Sequence, residues 1–567
     1  MILGSKKFGG IAPRFPERQL RLPYAQVAEN IKMERGQLRS YGGAVDAFTD
    51  QTVVTGADTV VPYDKVSGDT ILLSWADDVD NVIRPVPNDS LNRVYWTGDN
   101  SPNAGGSPRM ADELTITGGS TTGPYPKQSY MLGVPAPEDE VFAERIQGDG
   151  VPDDAEAQGF IPYYRSYTYT FVDKFKQESG PFAFEDGSPL TRLKLFDGDM
   201  VRVYGLQGSP NQDADVNFEN GLIRVYQTDL YGNFRLAAEL PSGTQEVTID
   251  HMDVNGVTLP TITTEPADDR MQGLVMSSFN FMYGFFDNTL CASDIQLYHS
   301  WPSLYQRTTP TKIVGVVPVA RGGLVICEGG VYLAFGSDPS NINIVPIDET
   351  KGCVSKRSIV NMGGYAMYAS SSGVVVCDGS TVVNTTADTI LDLDWPTYSP
   401  ETMTAIRHKE RYIIFNDDYG FALLPSAAED KLTNFTLKFT GGFTYDRDAN
   451  WYYVEGTKVK KFDADPSNPI QYRWVSSLNI LDSPATVSCV KLDADTRNDL
   501  NINVYADDVP LFGADGLDIP DTPSHTVYFR LPPFRPSMEI YWSVEGTSPL
   551  NTMYLSNSFA ELKEYSA

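Results

Sequence analysis

The stretch from about residue 270 to 465 limits this chain more than any other feature, because it repeats in kind without repeating in letters. Five strand–turn–strand units follow one another there. Leu274–Asp294 turns near Asp287-Asn288, Leu324–Phe335 at Gly329-Gly330, and Ala366–Cys377 at Ser371-Ser372-Gly373. Arg411–Leu424 turns at Asp417-Asp418-Tyr419-Gly420, and Gly442–Phe462 near Asp448 and Gly456. One hairpin cannot bury its own apolar face, so radial stacking is the natural solution. Starts roughly 30 to 50 residues apart fit the blades of a β-propeller. Unrelated hairpins in a sandwich or meander are the other arrangement the pattern permits.

A chain of 567 residues is too long for one hydrophobic core, which predicts two to four domains. Its 47 glycines and 38 prolines suit turns, and 31 tyrosines with 27 phenylalanines suit half-buried sheet faces, so the class is all-β. Residues 1–45 are basic and irregular, broken by Pro13, Pro16 and Pro23. Apolar side chains at three- and four-residue spacing over Tyr24–Ile31 predict a short helix or turn. Arg14, Arg18, Arg21, Arg35 and Arg39 make this segment either a docking arm for a neighbour's acidic surface or a solvated tail. Residues 46–135 carry short strands such as Ile71–Trp75 and Arg93–Asp99 that complete the propeller. Residues 136–265, with Tyr163–Val172, Gly221–Thr228 and Phe234–Leu240, read as an inserted sandwich of fibronectin type III character. The blades occupy 266–465. Residues 466–567, with Leu500–Tyr505 and Met538–Val544, form a C-terminal β-sandwich, and Pro532, Pro533 and Pro536 blunt an edge.

The formal net charge of −30 argues against a protein that grips DNA by neutralising phosphates. It fits either simple solubility or a wall past which DNA slides without sticking. The five cysteines (Cys291, Cys327, Cys353, Cys377, Cys489) are dispersed and odd in number, which suits small core hydrophobes in a reducing cytoplasm. Met1–Phe8 lacks the apolar stretch of a signal peptide, and no apolar run is long enough to span a membrane.

Chemistry has few footholds. His251, His299, His408 and His525 stand in no metal or triad motif, and HExxH, GxSxG and GxxxxGK[ST] are absent. Cys327 and Cys377 lie in apolar strands, a poor setting for a nucleophile. The loop Gln147–Asp154 has the hard oxygen donors calcium prefers but not the spacing of an EF-hand, so it reads as a solvated acidic linker. The expectation is no catalytic, cofactor-binding or metal-ligating residue and no cofactor.

Several segments, in order, carry a family resemblance. Arg18–Asn30 runs into Glu34-Arg35-Gly36-Gln37-Leu38-Arg39. Then come Arg93-Val94-Tyr95-Trp96-Thr97-Gly98-Asp99 with Pro108-Arg109-Met110, and Tyr130-Met131-Leu132-Gly133-Val134-Pro135-Ala136-Pro137. His299-Ser300-Trp301-Pro302 and Cys353–Val360 complete the series. Together they resemble the tail nozzle, or tail tubular protein, of short-tailed bacteriophages. That resemblance implies a virion protein made in the host cytoplasm and assembled into the tail as a homohexameric ring of about −180. Its implied partners are an adaptor at the head–tail connector, tail fibre proteins, genomic DNA passing through the lumen without specific binding, and the host cell surface at the tip. The implied role is to retain DNA and then conduct it during ejection, with loops 100–108, 147–159 and 336–342 as docking or gating candidates. The alternative is a glycan-binding or glycan-cleaving tail receptor protein, using aromatics such as Tyr163, Tyr164, Trp451, Tyr452 and Tyr453. Those aromatics also suit sheet faces.

Overall fold

The structure is a computed structural model describing residues 1–567 except 35, 87–88, 103, 183–191, 212–214, 428–430, 440, 446, 495, 498, 514–515, 521–523 and 565–567. The chain is all-β, with 43% strand and 6% helix. Among the described residues its α-helices are the short Glu113–Thr117, capped by Asp112 and ended by Gly118 at φ 54°, and Phe559–Glu564; the other helical turns are short 3₁₀ segments.

Seven sheets follow one another in series, most of them with four antiparallel strands. Sheet A pairs Thr59–Asp64 with Thr70–Trp75. Sheet B contains Asp80–Ile83, Val94–Thr97, Arg109–Ala111 and Tyr130–Met131. Sheet C contains Gln272–Met276, Met282–Phe286, Thr289–Ala292 and Arg307–Thr308. Sheet D contains Ile313–Val319, Gly322–Cys327, Val331–Phe335 and Asn343–Asp348. Sheet E contains Val360–Asn361, Ala366–Ser370, Gly373–Cys377 and Val382–Asn384. Sheet F begins with Thr404–His408, Arg411–Phe415, Gly420–Leu423 and Leu432–Asn434. Sheet G contains Gly442–Tyr445, Asn450–Glu455 and Lys458–Asp465, and the distant strand Gly43–Ala47 completes it. The five hairpins read from the sequence lie in sheets C to G.

Alternation along each strand explains how the sheets stack. Successive side chains point to opposite faces, and the middle strands are apolar on both. Leu73 and Trp75 of sheet A pack with Val94 and Trp96 of sheet B, the Trp75 and Trp96 rings 5.6 Å apart. Tyr95 points the other way, towards Leu274 and Met282 of sheet C. Tyr283 and Phe285 meet Val325 and Cys327 of sheet D, while Leu324 and Ile326 meet Tyr368 and Val375 of sheet E. Met367 and Ala369 belong to the same core as Tyr412 and Ile414 of sheet F, whose Ile413 and Phe415 meet Trp451 and Tyr453 of sheet G. Tyr452 and Val454 then meet Val60 and Leu72, back in sheet A. The series of cores therefore closes on itself.

Between sheets B and C the chain leaves for an inserted unit. Phe142–Ile146, Met200–Tyr204 and Glu246–Asp250 form one three-stranded sheet, and Tyr167–Val172, Leu222–Thr228 and Phe234–Pro241 another. Between them lies a core of Tyr169, Phe171, Val201, Val203, Ile223 and Val225.

The last hundred residues fold together with the first forty. Ile2–Ser5, Ile31–Glu34 and Gln37–Ser40 share a sheet with Cys489–Ala494, Thr526–Arg530 and Leu550–Ser556. Ala25–Glu29 sits between Leu432–Asn434 and Tyr472–Ser476, so sheet F continues into the C-terminal strands. The helix or turn expected over residues 24–31 is thus a strand. A bulge between Ala25 and Val27 shifts the register, so that Ala25 and Ala28, three residues apart, are both fully buried. That step imitates helical spacing in the sequence. Two arginines of the expected basic arm have partners within the chain. Arg18 binds Glu539 at 2.7 Å, Arg14 donates to the Ala387 carbonyl, and Arg35 lies outside the described residues.

Candidate functional site

The first strand of every one of the seven sheets lines a single cavity of about 410 Å³. Thr59, Asn81, Leu274, Val316, Asn361, Ala405 and Gly442 represent sheets A to G in turn. Small residues let backbone come close there. A Cβ on Gly273, at φ 67°, would lie 2.0 Å from the Phe285 ring.

Five charged side chains stand in the cavity. Lys356 and Arg357 lie in the 3₁₀ turn Lys356–Ser358 that leads into sheet E, and Asp58, Asp78 and Asp80 lie at the entrances to sheets A and B. Lys356 Nζ reaches Asp80 at 2.8 Å and Asp78 at 3.2 Å, and Arg357 reaches Asp58 at 3.3 Å. The Gly273 amide also donates to Asp80, at 3.2 Å. Sheets B and E are three steps apart in the series, so these pairs span the cavity rather than join neighbours. Burial opposes the Lys356 charge, but Asp80 and Asp78 outweigh it and hold the ammonium above the usual lysine range. Burial, aided by Asp78, pushes the Asp80 carboxyl up against the pull of Lys356. Chemically this is a clamp. Each charge has an opposite partner, and neither histidine nor cysteine is among the lining residues.

The residues that the sequence singles out lie elsewhere. Burial pushes the Cys291 thiol up to about 12 and those of Cys327 and Cys353 to about 11. His251 is fully buried, its Nε2 2.8 Å from the Phe196 carbonyl oxygen, and burial lowers His408. In loop 147–154 Gly148 donates to Asp199, and among the described residues no group of three or more His, Cys, Asp or Glu is placed to hold a metal. Trp451, Tyr452 and Tyr453 face the cores on either side of sheet G, whereas Tyr164 is exposed and Tyr163 packs 5.7 Å from His251. Among the described residues, loops 100–108, 147–159 and 336–342 contribute nothing to the lining of this cavity. The last is pinned by Arg307, which donates to the Ser340 and Ile342 carbonyls.

Sequence reasoning missed the five charges. Lys356 and Arg357 fall inside a segment that carries the resemblance, but Asp78 and Asp80 look like an ordinary polar turn. Their partner lies more than 270 residues away, and no local pattern signals such a contact.

No protein-family model matches the chain, and no curated protein matches it. Among solved structures, an extracellular domain of a putative hybrid two-component system, BT4673, from B. thetaiotaomicron is similar at TM-score 0.25 and 9% identity. That likeness covers 64% of this chain and 43% of that one, so the chain spans less than half of its length. The AfRom2 CNH domain gives TM-score 0.23 at 10% identity over 48% of this chain and 87% of that one. An exo-beta-1,3-galactanase from Phanerochaete chrysosporium gives 0.13 at 9% identity over 89% and 100%. Likeness at these scores carries no argument about function.

Proposed function

We propose that this chain is a structural subunit of a short-tailed bacteriophage tail nozzle, built around a seven-bladed β-propeller with an inserted fibronectin-like sandwich and a C-terminal sandwich. The closed series of cores and the shared lining of one cavity support the propeller. Gly43–Ala47 acts as its closing strand, joining the first part of the ring to the last.

The observation that carries the functional reading is where the resembling segments fall: they build the scaffold. Trp96 fills the core between sheets A and B, and Arg109, buried, ties Ser129 and Asp215 together. Trp301 packs between sheets B and C, with its amide on the Glu265 carbonyl. Lys356 and Arg357 span the cavity. In this reading the shared segments are the frame on which subunits assemble. The cavity is far too small for duplex DNA and is crossed by Lys356, so in this reading DNA passes between subunits arranged as a hexameric ring. The charge of −30 per chain keeps that wall from binding phosphate.

Immunogold electron microscopy on intact particles, with antibody raised against this chain, tests the reading. Label confined to the tail tip of every particle is expected. Label on lateral fibres, or on no particle, overturns it and favours the receptor alternative.

A further inference from the structure

A second pocket, of about 470 Å³, lies at the edge of sheet F, where the N-terminal strand Ala25–Glu29 joins Leu432–Asn434. Two tyrosines form its aromatic wall. Tyr419 belongs to the turn Asp417-Asp418-Tyr419-Gly420 that the sequence marks, and Tyr398 ends the 3₁₀ turn Trp395–Tyr398. Their rings meet edge to face 5.0 Å apart, and Tyr398 meets the buried Phe421 in the same way at 5.1 Å. Tyr419 is still 39% exposed, so part of its ring is open to a ligand. Asn416 fixes this wall. Its Nδ2 donates to the Tyr398 carbonyl at 2.8 Å and to Thr402 Oγ1 at 3.1 Å, and its Oδ1 accepts the amides of Asp418 at 3.0 Å and Tyr419 at 2.8 Å. One side chain therefore holds both tyrosines in place.

The other wall is polar and is fixed by Asn30, which sits in the left-handed region at φ 54°. The Asn30 amide donates to the Asn434 carbonyl at 3.0 Å, its Nδ2 donates to Thr436 Oγ1 at 2.7 Å, and its Oδ1 accepts the Thr436 amide at 3.0 Å. The side chains of Glu29, Asp418, Asn434 and Lys438 line the pocket, and among the described residues none of them has a hydrogen-bond or ion-pair partner. In the cavity shared by the seven sheets each charge has an opposite partner. Here the polar groups are unspent.

An aromatic face beside unspent hydrogen-bonding groups suits one class of ligand. A pyranose has a C–H face that packs on a ring, and hydroxyls around its rim that donate to carboxylates and accept from an amide or an ammonium. A wholly apolar ligand would desolvate Glu29 and Asp418 without giving them partners. A phosphate or an acidic sugar would meet two carboxylates against one ammonium. We propose that this pocket is a binding site for neutral saccharides, with the C–H face of the sugar on Tyr419 and its hydroxyls on Asp418, Glu29 and Asn434. The aromatics of sheet G that the sequence offered for sugars face cores instead. Binding alone is proposed, and no bond is made or broken.

An array of defined oligosaccharides, probed with the labelled full chain, tests the site. Binding is expected on neutral gluco-, galacto- or manno-oligosaccharides and not on glycans of uronic or sialic acids. Titration of a bound neutral glycan should find Tyr419→Ala weaker by ~tenfold, the loss of one stacking contact, with Tyr419→Phe close to wild type. Asp418→Ala, at an exposed turn, should weaken binding by about the same factor through its lost hydrogen bond, and it serves if Tyr419→Ala misfolds in thermal melts. No neutral glycan bound, binding confined to acidic glycans, or undiminished affinity in either folded variant would overturn the site. The measurement uses the isolated chain, so its outcome is independent of the nozzle reading.

Discussion

Asp463 shows how much one side chain can hold together here. Its side chain is 3% exposed and accepts from Lys32 at 2.7 Å and from the Gly42 amide at 2.6 Å, with Lys409 at 3.2 Å and His408 at 3.5 Å. Burial opposes its charge, but His408, Lys32 and the Gly42 amide outweigh that and hold the carboxyl far below the usual range. Asp463→Ala leaves Lys32 without its partner between the N-terminal strands and sheet G. The expected loss is about 3–5 kcal/mol in urea unfolding. Because the carboxyl is depressed in the folded state, its stabilisation is present near neutrality and lost as pH falls below about 4. The difference between wild type and variant should shrink there. Lys356 is a second case, partly open to solvent. Lys356→Met strands Asp78 and Asp80 beside each other and should cost ~2 kcal/mol, between the limits for exposed and buried pairs. Thermal melts at low and high salt check this, with the smaller loss expected in high salt.

At the scale of an element, adjacent residues of one strand serve different neighbours. Trp451 faces sheet F and Tyr452 faces sheet A, so sheet G is a wall between two separate cores. Trp451→Ala should cost about 3–5 kcal/mol, and Leu72→Ala, on the far side of sheet G, about 2–5 kcal/mol. Since the two sites share no partner, their effects should add to within ~0.5 kcal/mol, as chemical denaturation of the single and double variants would show. A large coupling would mean that the cores do not act separately. Much of this was legible in the strands themselves. The hairpins of sheets C to G announce their turns through glycine and aspartate and their double burial through unbroken apolar runs such as Leu324–Cys327. The strand Ala25–Glu29 was not legible, because its bulge gives apolar residues a three-residue step.

For the whole molecule, the proposed ring makes its own prediction. Subunits of −30 repel one another, and screening by salt reduces that repulsion. The purified chain should therefore shift from monomer towards hexamer as ionic strength rises, read by light scattering after size exclusion and by negative-stain imaging. A monomer at every salt concentration, or a closed dimer, would count against the ring.

By itself the sequence determined the all-β class, the hairpin series and the turns between strands, because alternation, glycine placement and apolar runs act over a few residues. Only the tertiary structure decided that Gly43–Ala47 completes sheet G, that residues 1–40 fold with the last hundred, and that Lys356 meets Asp78 and Asp80. The physical reason is the same each time. These contacts join residues hundreds of positions apart, and neither a spare strand edge nor an unpaired charge carries a mark of its partner in the letters beside it.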